Sequence, residues 1–347
     1  MLRYFCEERK NLHVIAAGSM LETAIDFEKN FLVDRVEFVH LYPCTFKEFL
    51  IAKKEDGLIE ALNVLPLPES LHSRLQDLFK EYTLLGGMPE VISTYINNVS
   101  VLSTRSIYES LILSYMDDME KHSRSNSQAS VVQQIIPSCF IEAGKRIKFE
   151  GFGNTNFRSR EIKDAFALLE KAMLIKLMYP SYSVEPPITT NKNKSPKLFA
   201  LDVGLINYYS GSQKEFFVRE KLEYVYHGRI SEHIVGQELA AYSKSILHLP
   251  SFWIREKKQS SAELDYIINH EGMVIPVEVK SGSYGTLRSL MLFVDAAPHK
   301  YAVRVYSGGF SREKQKTIAG KNFVLLNLPF YLVSEIDKYI NLMIENY

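Results

Sequence analysis

The stretch Ala262–Lys280, AELDYIINHEGMVIPVEVK, decides how the chain is read. It holds two runs of strand-forming residues separated by His270-Glu271-Gly272, the pattern of two β-strands joined by a short turn. Strand alternation puts Leu264, Tyr266 and Ile268 on one face, with Glu263, Asp265 and Ile267 on the other. In the second strand Ile275, Val277 and Val279 share a face, and Glu278 and Lys280 share the opposite one. With Glu271-Gly272 as a two-residue loop, Asp265 lies opposite Glu278 and Glu263 opposite Lys280. Facing carboxylates repel each other, and a divalent cation bound through their oxygens turns that repulsion into a site. Lys280 then stands ready to orient or charge-stabilise a phosphate. The same pattern also reads as a solvated hairpin face carrying a Glu263–Lys280 ion pair.

Around this hairpin the pattern predicts a helix at Ile230–Ile246, a strand at Phe252–Glu256, and a helix at Leu287–Ala296. Strands at Tyr301–Tyr306 and Asn322–Leu326 and a terminal helix follow. Such an αβββαβ series suits an α+β sheet. Within the first helix, Ile230, Ile234, Val235, Leu239, Tyr242 and Ile246 mark an apolar arc, with Glu238 near its middle and Glu232 at its edge. A carboxylate inside an apolar face is costly unless it is paired or metal-bound. Trp253 reads as a packing residue, and His233, His248 and His270 as isolated core or surface histidines.

Composition bounds the alternatives. A length of 347 residues allows two or three domains. Lys+Arg and Asp+Glu each number 41, so no global charge draws the chain to nucleic acid or membrane, and any basic surface is local. Cys6, Cys44 and Cys139 are scattered, which argues against a disulfide scaffold or a cysteine zinc site and fits a reducing, cytoplasmic location. No apolar run is long enough to span a bilayer, and charges at Arg3, Glu7, Glu8, Arg9 and Lys10 break any signal-peptide pattern.

Upstream, Leu12–Ala17 reads as a buried strand ending in Gly18-Ser19, and Val36–Tyr42 as another. Thr45-x-x-Glu48 forms a capping box for a helix. Helices follow over Ser73–Tyr82, Val91–Tyr95, Thr104–Met119 and Val131–Ala143. Ser159 N-caps a helix whose Ile162, Ala165, Phe166, Leu169 and Met173 keep helical spacing. Leu174–Met178 and Leu198–Leu201 read as a hairpin with residues 180–196 at its tip, giving a winged-helix-like module. DNA contact by that module is one reading, and a packing or spacer role is the other, because its last helix mixes Arg160, Lys163 and Lys171 with Glu161, Asp164 and Glu170. Asp202 reads as a turn or cap residue.

IAAGSM, DRVEFVHLYPCTFKEFL and YTLLGGMPEVI resemble the second half of the ATPase domain in a prokaryotic family of AAA-type ATP-binding proteins with a C-terminal domain of unassigned function. The resemblance implies that Ser19 ends the sensor strand beside the γ-phosphate and that Arg35 is the following arginine, although Asp34 stands where glycine is usual. No G-x-x-x-x-G-K-[ST] loop occurs in the sequence. Relative to its look-alikes the chain starts late, so ATP hydrolysis by this chain alone is not expected, and ATP belongs to full-length relatives.

The C-terminal series, with D…E-x-K on its second and third strands, resembles the PD-(D/E)xK nuclease fold. That resemblance implies Asp265 and Glu278 as ligands of Mg²⁺ or Mn²⁺, the Val279 carbonyl completing the shell, and Lys280 as the catalytic lysine. It points to Glu232 as an extra acid through GRISEHIVGQEL, with Glu238 as the alternative. The expected plan is therefore α/β and α+β, multidomain. An AAA ATPase remnant spans 1–65, a helical lid and winged-helix-like region 66–205, and a nuclease-like αβββαβ domain 206–347. The expected function is metal-dependent cleavage of DNA or RNA. The alternatives are a non-catalytic nucleic-acid or protein-interaction module, self-associating or bound to a partner, and a pseudo-ATPase fragment needing its nucleotide-binding half.

Overall fold

The computed structural model describes residues 2–9, 11–18, 37, 39–211, 228–243, 250–257, 260–282 and 286–345. Beyond a short helix, α1 (Leu2–Glu8), residues 12–18 and 39–42 adopt no regular secondary structure. The strands read at Leu12–Ala17 and Val36–Tyr42 do not form in these described parts. An interior strand needs a neighbour to complete its ladder, and neither sheet pairs with these segments, which leaves Ile15 96% and Leu41 84% exposed.

A helical body follows: α2 (Phe46–Ala52), α3 (Asp56–Ala61), α4 (His72–Leu85), α5 (Pro89–Asn98), α6 (Arg105–His122), α7 (Asn126–Ile141) and α8 (Ser159–Lys171). The capping box starts α2 as the sequence indicates, with Glu48 N–H donating to Thr45 Oγ1 and Thr45 N–H to the Glu48 carboxylate. In α8 the stripe Ile162, Ala165, Phe166 and Leu169 is fully buried. Its N-cap is Arg158 rather than Ser159, because the Glu161 carboxylate accepts from Arg158 N–H at 2.9 Å.

Strands β1 (Ile175–Met178), β2 (Pro180–Ser181) and β3 (Lys197–Ala200) come next, then α9 (Val203–Tyr209) and α10 (Gly228–Tyr242). β1 and β3 pair antiparallel. The loop between them is not a free tip. β2 runs parallel to β4 (Ser251–Lys257), and Val184 and Ile188 pack on the core behind it. The remaining elements are β5 (Ser260–His270), β6 (Met273–Lys280), α11 (Arg288–Ala296), β7 (Tyr301–Tyr306), β8 (Ser311–Lys316), β9 (Asn322–Pro329) and α12 (Ile336–Glu345).

The large sheet has the order β2-β4-β5-β6-β7-β9-β8, with β6, β7 and β9 parallel and β4, β5 and β6 antiparallel. Both faces are covered. Tyr266, Val277 and Val303 join a core with Ile234 of α10 that continues into the helical body. Trp253, Leu264 and Ile267 pack with Phe293 of α11 in a second core. The fold is thus a mixed α/β architecture of more than one domain. Among the described residues no helix is long and apolar enough to cross a membrane.

Strict alternation fails at one point on β5. Ser251 pairs with Ile267 but Trp253 with Leu264, so one residue of β4, Phe252, faces two of β5, a β-bulge at Asp265–Tyr266. The extra residue sends Leu264 to the α11 core and Tyr266 to the α10 core. Strict alternation would put these two side chains on one face.

Candidate functional site

The β5–β6 turn is Glu271-Gly272, with φ of 47° and 78°. Its two-residue loop sets the register Ile268↔Ile275 and Tyr266↔Val277. The described pairing ends at Tyr266↔Val277, one step short of Asp265 and Glu278. There the ladder gives way to a side chain, with the Val279 N–H donating to Asp265 Oδ2 at 2.7 Å. Lys280 Nζ bonds Glu278 Oε1 at 2.5 Å. The other Glu278 oxygen is buried without a hydrogen-bond partner. Asp265, Glu278 and Lys280 therefore meet at the carboxyl end of β6.

Glu263 has other partners. It pairs with Lys197 Nζ at 2.9 Å and Arg146 at 3.6 Å, which corrects the Glu263–Lys280 pairing read from the sequence. The β5–β6 pairing ends at Tyr266↔Val277, beside the β4–β5 bulge, so that register does not extend to Glu263. Lys197 also bonds Glu232 Oε1 at 2.6 Å, so Glu232 is beside the site but bound by an ammonium. Tyr266 fixes α10 over the sheet by donating its hydroxyl to the Glu232 carbonyl at 2.8 Å.

Burial shapes the electrostatics. It pushes Glu278 up to about 7, with the Asp265 charge adding to the rise and Lys280 opposing it. It raises Glu232 to about 7 as well, against the pull of Lys197. Asp265 is raised for the same reason, opposed by Lys197 and the Val279 N–H. For Lys197 burial works downward, but Glu232, Glu263 and Asp265 together hold its ammonium above the ordinary range.

A hard cation fits this donor set in a limited way. Asp265 and the orphaned Glu278 oxygen supply two carboxylates, whereas Glu232 is already engaged by Lys197. Among the described residues no group of three His, Cys, Asp or Glu side chains is arranged to hold a metal ion.

Glu238, the alternative acid, lies elsewhere. Its carboxylate accepts from Phe46 N–H at 3.0 Å and from the Tyr82 hydroxyl at 2.7 Å, which ties α10 to α2 and α4. Of the apolar arc, Ile234, Val235 and Leu239 are buried, Ile230 and Tyr242 are half-buried and Ile246 lies outside the described residues, and the carboxylate inside it is satisfied by the helical body. Asp202 caps α9 through Gly204 and Leu205 N–H and also accepts from Gly87 N–H. His233 stacks on Phe199 and bonds the Ala200 carbonyl, and His270 bonds Asp337 and Asn341, so neither faces the carboxylates of the site. Ser19, Arg35 and His248 lie outside the described residues.

Lys197 and Arg146 were missed. Their acidic partners are far off in sequence, 35 positions in the case of Lys197 and Glu232, and the only local hint is a cation opening an apolar strand.

Residues 76–215 match a family model described as a domain of unknown function (DUF8612), and residues 227–331 match a second, also a domain of unknown function (DUF4143). No curated protein and no solved structure matches the chain. Lys197 and Arg146 thus lie in the first matched region, and Glu232, Glu263, Asp265 and Glu278 in the second. The second domain is one found in AAA-ATPase-associated proteins.

Proposed function

We propose that the large sheet carries a PD-(D/E)xK-like phosphodiesterase centre, dependent on Mg²⁺ or Mn²⁺, in a relative of AAA-type ATPases. The observation behind this reading is the meeting of Asp265 and Glu278 beside Lys280, with a buried Glu278 oxygen left without a partner. Asp265 and Glu278 would hold the cation, helped by the Val279 carbonyl. The bound cation supplies Lewis-acid polarisation of a phosphoryl oxygen and activation of water. The chain's own groups do the rest. The Val279 N–H keeps Asp265 in position, and Lys280 steadies Glu278 while its ammonium, 27% exposed, offers charge to an incoming phosphate. Nucleic acid is the substrate class this chemistry suits, with the helix–hairpin region of α7, α8, β1 and β3 as a winged-helix-like contact.

A second reading, a nucleic-acid or protein-interaction module without turnover, is favoured by one fact. Glu232 and Glu263 are held in ion pairs, so few carboxylates remain for a metal. Calorimetric titration with Mn²⁺, wild type against Asp265→Ala, separates the two, alongside cleavage of DNA and RNA in Mn²⁺ and in EDTA. Binding and cleavage lost in the variant support the hydrolase, and a wild type that binds no Mn²⁺ supports the module.

A further inference from the structure

Lys197 belongs to β3, in the hairpin that precedes α9, yet its ammonium lies among the carboxylates of α10 and β5. Its side chain is 4% exposed, and it sits 4.9 Å over the Phe252 ring. It contacts Glu232 at 2.6 Å and Glu263 at 2.9 Å, while Arg146, bridged to Lys197 through the backbone, also reaches Glu263. Four acids (Glu232, Glu263, Asp265 and Glu278) thus gather around three cations (Lys197, Arg146 and Lys280). The buried oxygen of Glu278 remains without a partner. Buried carboxylates demand a nearby positive charge, and a divalent ion competes for the same oxygens as an ammonium.

We propose that Lys197 is the resident cation of this cluster: its tethered ammonium fills the place that a divalent ion would otherwise take between Glu232 and Glu263. The inference rests on reading these carboxylates as cation ligands, and it does not require turnover. It also means that the hairpin region and the sheet form one functional unit, because the first supplies the charge that the second needs.

Mn²⁺ titration of the full chain tests it. Lys197→Met is expected to bind an additional Mn²⁺ ion, or to bind Mn²⁺ at least about tenfold more tightly than wild type, because an opposing charge has been removed from a poorly solvated site. Lys197→Arg keeps the charge and stays at the wild-type level, and adding Glu263→Gln to Lys197→Met abolishes the gain. Unchanged binding in Lys197→Met overturns the proposal. A wild type without binding beside a Lys197→Met variant that binds leaves the proposal standing and sinks the phosphodiesterase reading. Should Lys197→Met fail to fold in EDTA, thermal unfolding decides. Rescue by Mn²⁺ but not by K⁺ at equal ionic strength supports the resident cation, and no rescue overturns it.

Discussion

The main-chain N–H of Val279 donates to the carboxylate of Asp265 at 2.7 Å, so a side chain takes over where the β5–β6 ladder stops. This bond gives Asp265 a structural role separable from its charge. Asp265→Ala leaves the N–H without its acceptor and is expected to cost about 1–3 kcal/mol. Asp265→Asn keeps an acceptor oxygen and is expected to be the more stable of the two, while both lose Mn²⁺ affinity. Urea denaturation and Mn²⁺ titration of the pair check this. Equal stability of the two variants would show that the hydrogen bond contributes nothing.

Glu238 predicts a pH dependence remote from the site. Burial pushes its carboxyl up to about 7, although the Tyr82 and Phe46 hydrogen bonds pull it down. The unfolded chain releases that proton near the ordinary carboxylate value, whereas the folded chain keeps it until about 7. Folded protein therefore binds more protons between these values, and this group's contribution to stability falls as pH rises through the window, by on the order of 3 kcal/mol. Above the window both states have lost the proton and the penalty is constant. Asp202, raised by burial to about 6, acts in the same direction, so the comparison must be with a Glu238 variant. Glu238→Gln should gain stability relative to wild type between pH 5 and pH 8 in urea denaturation. Parallel pH profiles would refute the assignment.

Much of the hairpin was legible because its signals are local. A two-residue loop fixes every cross-strand pair up to the bulge, and Tyr266↔Val277 and Ile268↔Ile275 follow from it. The bulge itself depends on how β5 meets β4, a partner that the hairpin sequence does not contain. β8, SREKQK, escaped notice because it has no apolar alternation. It is an edge strand held by β9 alone, and charged side chains there discourage pairing with other chains. The arc of α10 was evident from its spacing, but the groups facing Glu238 and Glu232 lie on β3, α2 and α4. Helical projection shows which side chains share a face and is silent on what that face meets.

The turn offers a stabilising change. Both loop residues have positive φ, 47° at Glu271 and 78° at Gly272, a conformation that Asn-Gly tolerates best. Glu271→Asn is expected to stabilise the chain by about 0.5–1 kcal/mol through relief of left-handed strain. Gly272→Ala should cost about 1 kcal/mol from the backbone alone, since an added Cβ meets nothing within 4 Å. Thermal unfolding of the two variants should move in opposite directions, and a shared direction would mean that the turn conformation is wrong.

Gly236 determines how closely α10 lies on the sheet. A Cβ there would come 2.3 Å from Tyr266 Oη and 2.7 Å from the Phe199 ring, neither of which is a flexible chain end. Gly236→Ala must therefore displace the tyrosine that bonds the Glu232 carbonyl, at a cost of about 1–3 kcal/mol for the overpacked contact. Glu232 moves with that backbone, so its contact with Lys197 loosens as well. Tyr266→Phe removes the atom in closest conflict. If that atom sets the spacing, the double variant loses less stability than the sum of the single losses. Strictly additive losses in urea denaturation would assign the constraint to Phe199 and leave the helix–sheet distance independent of the tyrosine hydroxyl.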